Sequence, residues 1–138
     1  MAAHDAYDEC APQEDVAVLY FHGTADTRMP YEGGEKCSPA AQFKCRPVKE
    51  YVAEWALRNS CSQNTSVVYE NGDTTCISHN GCPANGQVEL CTVGGGGHTW
   101  PGGSYVKETE NWKRIVGTLS EDINATDVIW EFFESKRR

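Results

Sequence analysis

The sequence predicts an α/β protein, in which strands and helices alternate along the chain. Residues 16–21 form an apolar run rich in β-forming side chains, which is typical of a strand buried on both faces of a parallel sheet. Apolar residues then recur at helical spacing after Pro47. Three short strands and a final helix follow. This order of strand, helix, strands and helix is the alternation expected of the α/β class.

Each later element has its own local signal. Pro47 suits the start of a helix, because proline fits its first turn, and the apolar face of this helix comprises Val48, Tyr51, Val52 and Trp55. The turn residues that follow separate three strands, predicted at 65–70, 74–79 and 87–93. A final helix is predicted to begin near Asp122 or Asn124 and to bury an apolar face, with Trp130, Phe132 and Phe133 as core residues.

Length and charge limit the possible partners. The chain has 138 residues, which is the size of one domain, so residues 1–138 are expected to form a single unit. Its net charge of −8 opposes binding to nucleic acid, which requires clustered Lys and Arg to neutralise phosphates. No apolar run approaches the length of about 18 residues that a membrane span needs. We therefore expect neither a nucleic-acid partner nor a membrane.

Seven cysteines predict disulfides. No two of them form a C-x-x-C pair, and their spacings match no common zinc site, so we expect neither a metal nor another cofactor. Disulfides point to an oxidising compartment and thus to a secreted protein. The sequons at Asn64 and Asn124 are compatible with secretion. The start, MAAHDAYDEC, lacks the regions of a signal peptide, so we expect such a peptide to have been removed or to lie upstream.

A glycine-rich loop, VGGGGHTWPGG at 93–103, follows the last predicted strand and presents His98. Glycine is unfavourable inside regular elements, so this segment is a loop. In open α/β sheets, ligands bind outside the carboxyl ends of the strands, and Asp26 stands five residues past the first strand as His98 does past the last. An aspartate and a histidine presented in this way suit the orienting acid and the base of a hydrolytic triad. Taken singly, His98 is more simply a structural histidine and Asp26 a turn residue.

Five motifs carry a resemblance to a known family, in the order HGTAD at 22–26, MPYEGG at 29–34, WALRNSC at 55–61, GGGHTWPG at 95–102 and ATDVIWEFF at 125–133. Together they resemble the C-terminal part of secreted α/β-hydrolase esterases, namely polyhydroxybutyrate depolymerases and the feruloyl and acetylxylan esterases grouped with them. The resemblance implies the C-terminal portion of an α/β-hydrolase fold: a partial parallel sheet, flanking helices and a small disulfide-stapled hairpin region. It also implies Asp26 as the acid, His98 as the base and a disulfide between Cys61 and Cys82.

The implied substrate is a carboxylic ester, either of a polyester or of a plant polysaccharide carrying feruloyl or acetyl groups. Trp100 is predicted to line its binding pocket, although packing beneath the loop explains this residue equally well. The other expected disulfides are Cys37–Cys45, from proximity in one loop, and Cys76–Cys91, across adjacent strands, which leaves Cys10 over. Seven cysteines nevertheless allow many pairings.

One departure from the family is a missing nucleophile. The family's serine lies on a Gly-x-Ser-x-Gly elbow that precedes the acid and the base, and this sequence contains no such motif. Three hypotheses remain: a truncated serine esterase that needs a separate N-terminal half, an inactive secreted domain that binds a carbohydrate or a protein, and a small hydrolase with another nucleophile. In the first case the chain alone is expected to be inactive. Its uncovered first strand is expected to pair with the missing half or with a second copy in a homodimer.

Overall fold

The computed structural model describes residues 12–37, 44–107 and 109–136. In chain order its elements are β1 (Val18–Gly23), α1 (Val48–Arg58), β2 (Thr65–Asn71), β3 (Thr74–His79), β4 (Val88–Val93), α2 (Glu110–Val116) and α3 (Ala125–Glu134). The strands form one sheet in the order β1-β4-β3-β2. None of the helices in the described part of the chain reaches the length and apolar character that crossing a membrane requires.

The sheet is mixed. β1 runs parallel to β4, whereas β3 is antiparallel to both of its neighbours, β4 and β2. The structure thus has the predicted α/β character, but the sheet is mixed rather than parallel, because the strands of the hairpin region belong to it. The Asn71-Gly72 turn joins β2 to β3 in a hairpin, and β3 pairs on its other side with β4, so the hairpin is part of the same sheet.

The helices cover the two faces of the sheet. Successive strand residues point to opposite faces, so Tyr20 and Leu90 pack beneath α1, while Phe21 and Cys91 pack on the other side against Ala125 of α3. This double burial of β1 agrees with its uninterrupted apolar sequence. Because β1 and β4 are parallel neighbours, their carboxyl ends lie side by side at one edge of the sheet.

The C-terminal helices agree with expectation in one respect and differ from it in two. α3 begins where predicted, because the Asn124 side chain accepts hydrogen bonds from the backbone N–H groups of Thr126 and Asp127. However, Trp130 is 59% exposed and Phe133 is 47% exposed, so placing them in the core was wrong. Only Phe132 of that trio is buried. α2 was not predicted at all.

Three disulfides link the described cysteines, and the pairs are Cys37–Cys45, Cys61–Cys82 and Cys76–Cys91. All three pairings agree with the sequence-based expectation. Three disulfides in a chain of this size are typical of proteins from an oxidising compartment. Cys10 lies outside the described residues.

Candidate active site

Asp26 is fixed in a tight turn at the end of β1. Its backbone N–H reaches back to the carbonyl of Gly23. One carboxylate oxygen, Oδ1, accepts hydrogen bonds from the backbone N–H groups of Arg28, at 2.7 Å, and Met29, at 2.9 Å. The residue is buried. These bonds hold the carboxylate in one orientation and leave the second oxygen, Oδ2, to face the glycine-rich loop.

His98 meets that second oxygen. Its Nδ1 lies 2.8 Å from Oδ2 of Asp26, so Nδ1 carries the proton and donates it to the carboxylate. The structure therefore brings the two residues together as their positions after neighbouring strands predict. The His98 side chain is 38% exposed, and no described residue hydrogen-bonds to its Nε2. The imidazole thus has one nitrogen oriented by an acid and the other available to a ligand.

His22 braces the turn that carries Asp26. Its Nε2 lies 2.7 Å from the carbonyl oxygen of Met29 and 3.8 Å from Oδ2 of Asp26. Burial lowers the pKa of His22 below its ordinary value. Because a carbonyl oxygen can only accept, Nε2–H donates to Met29. The rings of Tyr20 and Tyr31 pack against it. His22 therefore has a structural position behind the acid.

The acid and histidine loops are joined through their backbones. The N–H of Ala25 donates to the carbonyl of Gly96, and the N–H of Gly95 donates to the Thr24 hydroxyl. Glycine is required at the crossing, because a Cβ on Gly23 would lie 2.1 Å from the carbonyl oxygen of Gly96. These contacts link the two loops directly and so help to set the distance between carboxylate and imidazole.

A cavity of about 250 Å³ opens beside His98 and Asp26. Trp100 lines it and is anchored by its indole Nε1, which donates to the Thr126 hydroxyl at 3.0 Å. Most of the remaining wall is apolar and includes Phe21, Val93, Trp112 and Val116. Trp100 is thus placed where a substrate-binding role is possible, and that role stays a prediction.

Part of this wall comes from a segment that sequence reasoning overlooked. Tyr105 and Trp112 line the cavity, and the Tyr105 hydroxyl is held between the carbonyl of Gly117 and the N–H of Leu119. The available signal was two aromatic residues soon after the glycine loop. α2, which carries Trp112, spans only seven residues and shows no extended helical periodicity, so its sequence pattern was too short to detect.

The site has no arrangement suited to a metal. Among the described residues, no three His, Cys, Asp or Glu side chains converge to form a cation site. The polar side chains at the cavity include the Asp26–His98 pair, Thr99, Ser104 and Tyr105. An oriented imidazole of this kind can accept a proton from a hydroxyl group and return it to a leaving group.

Comparison with known proteins gives one distant relative. The chain is 33% identical over 99 residues to feruloyl esterase B of Piromyces equi. This match covers 65% of the chain but only 17% of the relative's length, so the chain spans less than a fifth of that protein. No protein-family model matches the chain, and no solved structure matches it. The chain therefore has a distant similarity to a feruloyl esterase.

Proposed function

We propose that this chain supplies the base and the orienting acid of a serine carboxylic ester hydrolase. In this proposal His98 is the base, Asp26 is the acid, and the nucleophilic serine belongs to a polypeptide segment outside residues 1–138. The observation that carries the proposal is the 2.8 Å hydrogen bond between His98 Nδ1 and Asp26 Oδ2. The distant similarity to a feruloyl esterase supports the same class of reaction.

The proposed roles follow from the protonation of the imidazole. With Nδ1–H donated to Asp26, Nε2 has a lone pair that can accept the proton of a serine hydroxyl as the serine attacks an ester carbonyl. The buried carboxylate stabilises the imidazolium formed in that step. Nε2–H then protonates the departing alcohol, and the same cycle with water releases the acid.

The cavity supports an ester whose acyl part is largely apolar. Trp100, Trp112 and Val116 provide an apolar wall beside His98, which would bury such a group out of water. An ester of a plant polysaccharide, with feruloyl or acetyl as the acyl group, is the substrate class we favour, and a polyester is the alternative. The fold we propose is the C-terminal portion of an α/β hydrolase, because acid and base follow adjacent parallel strands.

None of the eight serines lies in a Gly-x-Ser-x-Gly motif. Ser104 lines the cavity, but it follows two glycines in a loop rather than a strand-to-helix elbow. We therefore assign the nucleophile and the oxyanion-binding N–H groups to the absent segment. The chain alone should not turn over esters.

The deciding experiment has two arms. The transcript is first sequenced upstream of the codon for Met1, where an in-frame Gly-x-Ser-x-Gly is expected. The chain alone and the longer product are then assayed with an aryl ester and labelled with a fluorophosphonate probe, which reacts with activated serines. Only the longer product should be active, and His98→Ala should reduce its kcat by about 10⁴-fold or more.

Other outcomes point elsewhere. Hydrolysis by the chain alone that is lost in both His98→Ala and Ser104→Ala would replace the proposal with a small hydrolase that uses Ser104. A transcript without the motif, combined with an inert chain, would favour an inactive binding domain. The partly exposed Trp100 at the cavity is the observation that supports this second candidate, because exposed aromatic rings serve in ligand binding.

A further inference from the structure

The two N-glycosylation sequons have very different surroundings. Asn64-Thr65-Ser66 lies at the start of β2, and Asn124-Ala125-Thr126 lies at the start of α3. A glycan is bulky and must project into solvent, so it requires an asparagine amide that the fold does not use.

Asn64 meets that requirement. All three residues of its sequon are exposed. The backbone N–H of Asn64 donates to the Ser62 hydroxyl, and its carbonyl accepts from the N–H of Asn80, so the main chain at this position is well fixed. Within the described residues, no hydrogen bond engages the Asn64 side-chain amide. A group attached to its Nδ2 would therefore break no contact of the fold.

Asn124 does not meet it. Its Oδ1 accepts the backbone N–H groups of Thr126 and Asp127 and so caps α3. The hydroxyls of the third sequon residues do not distinguish the two sites, because Ser66 donates to Asn80 while Thr126 accepts from Trp100. The main chain is also crowded, since a Cβ on Gly102 would lie 2.6 Å from the Cα of Asn124. A glycan here would be attached to the capping amide and would lie against the loop that bears Trp100.

We propose that Asn64 is an N-glycosylation site and that Asn124 is not modified. In the reaction, Nδ2 of Asn64 forms a bond to the anomeric carbon of an oligosaccharide carried on a lipid diphosphate. The bond between that carbon and the diphosphate oxygen breaks, the amide loses one proton, and the lipid diphosphate leaves. The proposal requires passage through a secretory pathway, with which three disulfides agree, and it does not depend on ester hydrolysis.

The position also gives the glycan a role. β2 is the edge strand opposite β1, and it exposes two neighbouring apolar side chains, with Val67 60% and Val68 51% exposed. An apolar edge strand is a template for pairing with another chain. A register shift between Val67 and Tyr69 already distorts this edge. A glycan on Asn64, directly before the strand, would shield the rest of it.

The test is expression of the whole chain through the secretory pathway of a yeast host, with mass measured before and after treatment with an N-glycosidase. We expect the secreted protein to carry one glycan. Asn64→Gln should abolish the mass shift, whereas Asn124→Gln should retain it. Ser66→Ala and Ser66→Thr form a matched pair, because both keep Asn64 but only threonine preserves the sequon, so only Ser66→Thr should remain glycosylated.

Several results would overturn the site assignment: a secreted wild-type chain without a glycan, a mass shift that survives Asn64→Gln, or a glycan found at Asn124 by peptide mapping.

The shielding role is tested separately, by the rate of aggregation. Enzymatic removal of the glycan from folded wild-type protein should speed its aggregation, and Val68→Lys should counteract that effect by placing a charge on the edge. Equal aggregation rates with and without the glycan would refute the shielding role.

Discussion

Gly97 and Gly117 lie backbone against backbone beside the candidate base. A Cβ on Gly97 would lie 2.6 Å from the Cα of Gly117 and 2.2 Å from the carbonyl oxygen of Val116. That carbonyl accepts the N–H of His98, and the N–H of Gly97 donates to Thr118. The loop therefore needs glycine for a close approach, and the approach fixes the backbone on which the imidazole stands.

Gly97→Ala should consequently destabilise the fold and displace His98. Forcing a methyl group into a packed site costs about 1–3 kcal/mol, because the neighbouring backbone must move. Urea denaturation measures the free energy of unfolding, and the NMR signals of the His98 ring report its displacement. Gly34→Ala is the control, since the nearest atom to its added Cβ would be 4.0 Å away. Equal stability of the two variants would contradict the argument.

The positions of Asp26 and His98 were easier to predict from the sequence than the residues that line the cavity beside them. Asp26 and His98 follow two apolar strands, and parallel pairing of those strands suffices to bring their carboxyl ends together. Tyr105 reaches the cavity through contacts with Gly117 and Leu119, more than ten residues along the chain. No local pattern encodes such contacts, because they depend on how the segment folds back onto the sheet.

The core placement of Trp130 and Phe133 was wrong for a different reason. Periodicity identifies an apolar helix face, but it does not say how wide the covering surface is. α3 packs Ala125, Val128 and Ile129 against the sheet, whereas Trp130 and Phe133 are exposed. Burial at these two positions depends on surfaces that the helix sequence itself does not specify.

Asp26→Asn should change the tautomer of His98 without unfolding the turn. The asparagine oxygen can still accept the N–H groups of Arg28 and Met29, but its NH₂ group would face Nδ1 as a donor. Nδ1 would then lose its proton to Nε2, which ¹⁵N NMR of the ring detects directly. In a complete hydrolase this wrong tautomer should lower kcat by about 10⁴-fold.

A double variant checks that the two residues act as a unit. Adding Asp26→Asn to His98→Ala should cause little further loss of activity, because the carboxylate acts through the imidazole. A wild-type ring protonated at Nε2 rather than Nδ1 would refute the assigned roles.

Lowering the pH should reduce the free energy of unfolding, because His22 is buried. Burial lowers the pKa of His22 below the value of 6.5 expected for the unfolded chain. Between the lowered pKa and 6.5 the unfolded state binds more protons than the folded state, so the free energy of unfolding falls as the pH is reduced through this window. Asp26, at 3.8 Å, opposes the shift, whereas His98 adds to it. His22→Gln should flatten this dependence in denaturation curves.

Glu89 provides a control of opposite sign. Burial raises the pKa of Glu89 above 4.5, although a hydrogen bond from Gln87 opposes the shift. The folded state therefore binds more protons above pH 4.5, and the contribution of Glu89 to stability is lost as the pH rises through its folded pKa. Glu89→Gln should remove that loss of stability at higher pH.

The His22 prediction has its own contradicting result. It would be contradicted if the free energy of unfolding of wild type and of His22→Gln changed equally with pH below 6.5.

The disulfides should contribute unequally to stability. Cys76–Cys91 closes a separation of 15 residues and Cys37–Cys45 one of 8, and a loop of about 15 residues gives about 3 kcal/mol in the chain-entropy account. Doubling the length of the closed loop adds about 0.6 kcal/mol to the stabilisation by a disulfide. Replacing Cys76 and Cys91 by alanine should therefore lower the stability more than replacing Cys37 and Cys45. Thermal denaturation of the two double variants gives the comparison, and the reverse order would contradict it.

The remaining prediction concerns the uncovered edge of β1. In the described part of the chain no strand pairs with that edge, while Val18 donates its N–H to Gln87 on the β4 side. Amides alternate in direction along a strand, so the N–H of Leu19 faces outward. We expect the isolated chain to self-associate through this edge, as an unpaired apolar strand does.

Sedimentation velocity over a range of concentrations should show a dimer that Leu19→Pro weakens, because proline removes an outward donor and leaves the Val18 bond to β4 intact. Non-reducing electrophoresis would reveal whether Cys10 links the two copies. If the nucleophile-bearing segment occupies the same edge, adding it should dissociate the dimer as activity appears. A wild-type chain that stays monomeric at every concentration, with Cys10 reduced, would show that β1 needs no partner strand and would favour a self-contained binding domain.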